Sequence, residues 1–159
     1  MKIKLYVIGK IKDAYLNIGI ADYLTRLKPY VDLTIIEVKD EAVKQNASNK
    51  EVEIAKDKEG EKILKLLKKD EYLIGLDLNK KQFKSDDFAS YLMQNLVKND
   101  SSISFVIGGS YGLSSALKER CNDAFSLSNM TFTHQMTRLI LLEQIYRSFK
   151  IINNEIYHK

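Results

Sequence analysis

The chain has 159 residues, of which 45% are apolar and 29% are charged, and its formal net charge is +4. This length and apolar share are typical of one domain with a substantial core, so we expect a single domain over residues 1–159. The lone Cys121 excludes a disulfide within the chain, and no apolar run approaches the roughly 20 residues of a membrane-spanning helix. The composition therefore predicts a cytoplasmic protein without a membrane segment, and its mild positive charge is compatible with a polyanionic partner.

Strand and helix patterns alternate through the first half of the chain. Residues 3–8 and 33–38 have the short apolar and β-branched composition of strands. Between them, residues 16–27 repeat apolar side chains at helical spacing. A charged helix follows, and its one-sided stripe from Val52 to Leu67 also contains Glu59. The first half is therefore predicted to run strand, helix, strand, helix.

The second half continues this alternation. Residues 72–78 and 103–107 have the pattern of strands, and residues 125–128 that of a short fifth strand. Ser85 is predicted to cap a helix between the first two of these strands, and Ser114 to begin a short helix before the third. Strands that alternate with helices pair in parallel, so we predict an α/β fold with a mostly parallel sheet flanked by helices.

The last predicted helix, over residues 135–152, is apolar in every direction. Four consecutive apolar residues at 139–142 cover all sides of it. Such a helix must be buried all round, and in a small chain a second subunit is one way to cover its outer face. We therefore predict a homodimer through this helix. A helix wholly inside the core of one subunit is the alternative.

Three strand ends carry the residues that are best placed for a ligand. They are residues 76–78, residues 107–112 with the letters IGGSYG, and residues 127–132 with the letters LSNMTF. Ligands of open α/β sheets bind beyond the carboxyl ends of the strands, and glycines let backbone N–H groups approach them. Each signal is weak alone, because residues 108–112 are more simply explained as an ordinary tight turn with Ser110 as a turn residue. Neither a dinucleotide fingerprint nor a Walker A loop is present.

The inventory of reactive side chains narrows the chemistry further. His134 and His158 are the two histidines, and with one cysteine they make a poor set of zinc ligands, so we predict no metal. A G-x-S-x-G nucleophile elbow is missing as well. The remaining chemistry is group transfer from a bound cofactor.

Three segments carry a resemblance to a known family. They are FVIGGSYG at residues 105–112, LSNMTFTHQMTRLILLEQIYRSFKI at residues 127–151, and YHK at residues 157–159. Together they closely resemble the RlmH family of ribosomal RNA large-subunit methyltransferases, which belongs to the SPOUT superfamily. The similarity runs the full chain and includes KEGEKIL at residues 58–64 and LDL at residues 76–78.

The resemblance implies a deep trefoil knot in the C-terminal part of the sheet, and a homodimer. It also implies transfer of a methyl group from S-adenosylmethionine to N3 of a pseudouridine in a hairpin loop of 23S ribosomal RNA, in the assembled ribosome. One alternative keeps the fold but changes the target to another RNA, such as a transfer RNA. A second alternative is a knotted ribosome-assembly factor without catalysis.

The resemblance also assigns roles to residues. The implied cofactor-binding residues are Leu76, Gly108, Leu127, Ser128, Asn129, Met130, Thr131 and Phe132. The candidate catalytic residues are Tyr157 and His158 on a tail that could reach a partner's pocket, although a frayed terminus is the alternative. The candidate RNA-binding residues are Arg138, His134 and Lys159, and a capping or packing role is equally open for His134.

Three positions depart from the family pattern. Lys80 stands where the family commonly has glycine, and Thr133 and Ile156 stand where it has proline. Without these residues we expect looser loops and a less rigid presentation of His134 and His158, because proline fixes the backbone.

Overall fold

The computed structural model describes residues 1–157, which form five strands and five helices. In chain order, these elements are β1 Lys2–Ile8, α1 Ala14–Leu27, β2 Asp32–Val38, α2 Asn49–Leu64, β3 Leu73–Leu76, α3 Ser85–Lys98, β4 Ser102–Ile107, α4 Ser115–Arg120, β5 Asp123–Phe125 and α5 His134–Ile152. Within residues 1–157, none of the helices is long and apolar enough to span a bilayer.

The five strands form one sheet in the order β2-β1-β4-β3-β5, and every pair is parallel. The predicted parallel α/β sheet flanked by helices is therefore confirmed. The fifth strand was predicted at residues 125–128, but it ends at Phe125. There the backbone N–H of Ser126 donates at 2.9 Å to the carbonyl of Lys81, a residue outside β3.

Alternating side chains of the sheet divide the interior into two cores. Ile3, Leu5 and Val7 point to one face, where they pack with buried residues of α1, α3 and α5. Tyr6 and Ile8 point to the other face, where they pack with residues of α2 and α4. This period of two along β1 is what a strand buried on both faces requires.

Helix α5 contacts both α1 and α3 on the larger core. Leu141 and Leu142 have no exposed surface, and none of the positions from 134 to 152 is fully exposed. Much of the apolar surface that predicted a partner is thus covered within one subunit. The burial of Leu141 and Leu142 agrees with the alternative prediction, in which the helix lies inside the core of one subunit. The homodimer stays a prediction.

The helix starts show where local sequence signals hold. The short helix predicted to begin near Ser114 is α4, and Ser114 caps it because its side chain accepts the backbone N–H of Leu117. The predicted cap at Ser85 is wrong: Ser85 is the first residue of α3 and donates its hydroxyl to Gln144 instead. Thr133, which stands where the family has proline, caps α5 by accepting the backbone N–H of Met136 at 3.2 Å.

A buried carboxylate ties the strands together near their amino ends. Glu71, with 7% of its side chain exposed, accepts hydrogen bonds from the Tyr6 hydroxyl at 3.0 Å, from Lys4 at 3.2 Å and from the Ser104 hydroxyl. Burial alone would raise the pKa of Glu71, but the hydrogen bonds from Ser104, the Lys68 backbone and Lys4 outweigh it and lower the pKa. The ionised carboxylate therefore stabilises the fold.

Replacing the carboxylate by Glu71→Gln should lower the free energy of unfolding by about 2 kcal/mol at neutral pH, since hydrogen bonds to a charged group are lost. Because the pKa is lowered in the folded state, the difference is present above the ordinary value of 4.5 and disappears as the pH falls through the lowered pKa. Urea unfolding at pH 7 and at acidic pH measures this difference in the free energy of unfolding. The exposed Glu119→Gln is the control, and an equal loss in both variants would contradict the assignment.

Candidate functional site

The three strand ends that the sequence singled out lie side by side. In the sheet register, Leu76 at the end of β3 is paired with Ile107 of β4 on one side and with Phe125 of β5 on the other. The backbone N–H of Asp77 extends the pairing by donating to the Phe125 carbonyl at 3.0 Å. The loops after β3, β4 and β5 therefore leave one edge of the sheet at the same level.

The segment after β4 is a tight turn. The backbone N–H of Gly112 donates to the carbonyl of Gly109 at 3.0 Å, and Gly112 has a φ of +85°, which favours glycine. A Cβ atom on Gly108 would lie 2.3 Å from the carbonyl carbon of Gly112. Gly108 is therefore needed so that the turn can close on itself. From the sequence, we expected instead that the missing Cβ atom would let a ligand approach the backbone.

The segment after β5 is organised by its own polar side chains. The Ser126 hydroxyl donates to the carbonyl of Ser128 at 2.7 Å, and the Ser128 hydroxyl accepts the backbone N–H of Met130 at 3.0 Å. The Asn129 side chain accepts a hydrogen bond from Gln82. Met130 and Phe132 are left exposed, at 70% and 37%. Exposed apolar side chains on a fixed loop are available to a ligand.

A cavity of about 240 Å³ lies beneath this loop. Leu127, Ser128 and Phe132 of the loop line it, as do Ile140 and Gln144 of α5. Its other lining residues are mostly aromatic and come from the end of the β3–α3 connection, from the start of α3 and from the end of β5 with the residue after it: Phe83, Ser85, Phe88, Phe125 and Ser126. The size and aromatic lining suit one planar ring system. Leu76 and Gly108 do not line this cavity.

The cavity has a defined polar end. The Ser85 hydroxyl donates to the side-chain oxygen of Gln144 at 3.0 Å, and the Gln144 amide nitrogen donates to Glu143 at 2.6 Å. These bonds fix the orientation of the Gln144 amide. Sequence reasoning missed Phe83, Ser85 and Gln144, because each fits an ordinary helix or loop pattern and only the packing of α3 on α5 brings them together.

Arg138 is buried, with 2% of its side chain exposed. Its Nη2 donates to the carbonyls of Ile8 and Gly9 at 2.9 Å each, and its Nη1 lies 3.8 Å from Glu37. Burial lowers the pKa of Arg138, and Glu37 acts in the opposite direction. The guanidinium thus holds the end of β1. An RNA contact for Arg138 stays a prediction that this burial disfavours.

His134 is the first residue of α5 and is half-buried. Burial lowers the pKa of His134, and the nearby Arg138 guanidinium lowers it further. The imidazole is therefore neutral at physiological pH and has a nitrogen that can accept a proton. Thr133, and not His134, caps the helix.

Tyr157 lies on α1 and α5 of its own subunit. Its hydroxyl is 3.3 Å from that of Tyr23 and donates to Glu143 at 3.2 Å, and its ring packs edge-on against Tyr146 with centroids 5.0 Å apart. Burial raises the pKa of Tyr157, and the hydrogen bond with Tyr23 raises it further. The phenol is thus a hydrogen-bond donor and a poor proton acceptor. The other two tail candidates, His158 and Lys159, lie outside the described residues.

Residues 1–157 contain no group of three His, Cys, Asp or Glu side chains that could hold a metal ion. The loops after β3, β4 and β5 lie side by side at one edge of the sheet, and the aromatic cavity lies beneath the loop after β5. On an open parallel sheet this edge is where ligands bind. The geometry is that of a ligand-binding α/β protein.

Comparison with known proteins defines the class. Residues 1–158 match the family model described as "Predicted SPOUT methyltransferase". The fold is also similar to the solved structure titled "The structure of a probable methylase family protein from Haemophilus influenzae Rd KW20", with a TM-score of 0.51 and 14% identity. That match covers 96% of this chain but only 66% of the other, and it concerns the fold alone.

Curated relatives narrow the class to a family. A protein of Halothermothrix orenii and one of Clostridioides difficile, each named "Ribosomal RNA large subunit methyltransferase H", are both 48% identical to this chain. Both matches cover all 159 residues and the full length of the relative. The chain belongs to the ribosomal RNA large subunit methyltransferase H family of SPOUT methyltransferases.

The close contact at Gly108 makes a prediction about the turn. Gly108→Ala should displace the Gly112 backbone and lower the free energy of unfolding by about 2 kcal/mol, as overpacking does. Thermal unfolding gives the stability, and hydrogen exchange at the Gly112 amide reports the turn. Ser110→Ala, at an exposed position of the same turn, is the control. A stable Gly108→Ala protein with an unchanged turn would refute the steric explanation.

Proposed function

We propose that this protein transfers a methyl group from S-adenosylmethionine to N3 of a pseudouridine in a hairpin loop of 23S ribosomal RNA. The observation that carries the proposal is the adjacency of the three loops after β3, β4 and β5 beside an aromatic cavity. The family membership and the full-length relatives named for ribosomal RNA methylation support the choice of substrate.

The described residues fit this cofactor. The aromatic cavity beneath residues 127–132 has the size and lining for an adenine ring, with the Ser85 and Gln144 side chains at its polar end. When bound, S-adenosylmethionine supplies a methyl group that its sulfonium makes electrophilic. The protein's part is to bind the adenosyl group, align the reacting atoms and exclude water. We assign alignment to the backbone of the three loops and exclusion of water to Met130 and Phe132.

The target nitrogen carries a proton that must be lost before or during attack. Among the described side chains, His134 fits the role of acceptor best, because its imidazole is neutral at physiological pH. The raised pKa of Tyr157 suits it to donate a hydrogen bond and to hold the tail on α5. His158, carried by that tail, is the second candidate acceptor. We propose that the tail of one subunit serves the site of its partner.

A methylation assay tests the proposed reaction. Purified protein and isotopically labelled S-adenosylmethionine are incubated with free 23S RNA, large subunits or whole ribosomes from cells that lack this gene, and with transfer RNA. We expect one methyl group on one pseudouridine of 23S RNA, located by mass spectrometry, with assembled ribosomes as the best substrate. Methylation of transfer RNA would show that the substrate is a transfer RNA and not 23S RNA. Cofactor binding without methylation of any RNA would favour an assembly factor.

We also propose the homodimer and the trefoil knot. Gly19 of α1 lies against Leu139 of α5, since a Cβ atom on Gly19 would be 3.0 Å from the Leu139 Cδ1. Beside this contact, α1 exposes Tyr15 at 63% and Ile18 at 70%, an apolar face that suits a second copy. The knot would wind the loops around the cofactor site. The support for the knot is the membership of the SPOUT methyltransferase family.

A charge on this face should dissociate the dimer. Ile18→Glu places a carboxylate in the proposed interface without entering the core, unlike substitutions at the buried Leu141 or Leu142. We expect a folded monomer by analytical ultracentrifugation, with methylation lost if the tail acts across the interface. Val97→Glu on α3, at a position 74% exposed, is the matched control and should remain dimeric. If Ile18→Glu is also dimeric, or if the unmodified protein is a monomer, the interface is wrong.

A further inference from the structure

Glu59 is a buried carboxylate on helix α2, where the other buried residues are Ala55, Gly60 and Ile63. The residue is 8% exposed. Burial raises the pKa of Glu59, and the backbone N–H of Glu41 acts against this shift. Burying an ionisable group is costly unless the fold uses its hydrogen-bonding capacity. The contacts of this carboxylate indicate what it is used for.

The two carboxylate oxygens of Glu59 reach two different segments. Oε1 accepts the backbone N–H of Glu41 at 3.0 Å, in the connection between β2 and α2. Oε2 faces Gly109 of the turn after β4, where a Cβ atom would lie 3.0 Å from it. The carboxylate thus fills the space beside Gly109 and packs directly on the turn.

The next residue of α2 contacts the other end of the same segment. A Cβ atom on Gly60 would lie 2.2 Å from the Ser114 hydroxyl oxygen, so the helix backbone packs closely on this side chain. Ser114 in turn caps α4. Two neighbouring residues of α2 therefore contact both Gly109 and Ser114, and the position of α2 determines that of the turn between them.

We propose that Glu59 is a positioning residue that holds the Gly108–Gly112 turn in the geometry that binds S-adenosylmethionine. It acts through the turn and does not touch the reacting atoms. Length matters more than charge for this task, because the side chain must reach both the Glu41 N–H and Gly109. The link to the cofactor rests on the proposed function, whereas the hold on the turn does not.

Three variants separate these properties. Glu59→Gln keeps the length and an oxygen that can accept the Glu41 N–H. Glu59→Asp keeps the charge but is one methylene shorter, and Glu59→Ala removes both contacts. Calorimetry measures the Kd of S-adenosylmethionine, and hydrogen exchange at the Gly112 amide reports the turn. The exposed Glu61→Ala on the same helix is the control.

We expect Glu59→Gln and Glu61→Ala to bind the cofactor as the unmodified protein does. In Glu59→Asp and Glu59→Ala the Kd should rise about tenfold, equivalent to about 1.4 kcal/mol, and the Gly112 amide should exchange faster. If Glu59→Ala does not fold, Glu59→Asp decides alone.

Three other outcomes would count against one part of the proposal or the other. Folded Asp or Ala variants with a lower melting temperature but an unchanged Kd and unchanged Gly112 exchange would show a merely structural role and overturn the proposal. A Kd raised equally in the Gln and Asp variants would show that charge, and not length, matters, which also overturns it. If the unmodified protein binds no S-adenosylmethionine, the proposed function fails, and faster Gly112 exchange in the Asp variant would still support the hold on the turn.

Discussion

The site depends on the parallel register that places Leu76 between Ile107 and Phe125. Parallel neighbours have their carboxyl ends at the same edge, and each crossover returns the chain to the opposite edge before the next strand begins. The ends of β3 and β5, Leu76 and Phe125, are 49 positions apart in the chain and are thereby brought to one place, with the end of β4 beside Leu76. A slip of one residue in either pairing would turn Leu76 to the other face of the sheet and separate the loops from the cavity.

Much of the fold could be predicted because its signals are local. A strand buried on both faces is largely apolar, and the buried runs from Leu5 to Ile8 in β1 and from Phe105 to Ile107 in β4 have this composition. A serine that accepts a backbone N–H starts a helix, as Ser114 does. Two predictions were wrong, the cap at Ser85 and the end of the fifth strand, because a residue distant in the chain forms a hydrogen bond in place of the one that the local pattern predicts. The hydroxyl of Ser85 is used by Gln144, and the backbone of Ser126 is used by Lys81, so neither follows its local pattern.

From the sequence, only the side of the candidate site that the loops after β3, β4 and β5 form could be predicted. The glycines after β4 and the polar run after β5 have spacings that the sequence shows directly, although the steric reason for Gly108 needs the closed turn. The opposite wall, with Phe83 and Gln144, has no signal of its own because it exists only where α3 packs on α5. The burial of Arg138, a candidate RNA-binding residue, could not be predicted, because side-chain burial is a tertiary property and its two carbonyl partners are about 130 residues away.

Helix α5 connects these features, because its faces perform different tasks over a short length. Ile140 and Gln144 line the cavity, Arg138 holds the end of β1, and Glu143 accepts the hydroxyl of Tyr157. Gln144 also donates to Glu143, so the polar end of the cavity and the docking of the tail share one carboxylate. Tyr157 uses one oxygen of Glu143 and Gln144 uses the other, while the Ser85 hydroxyl holds the oxygen of the Gln144 amide. The docking of the tail and the polar end of the cavity therefore meet at one carboxylate, on a helix whose buried face, with Leu141, Leu142 and Ile145, is packed in the core.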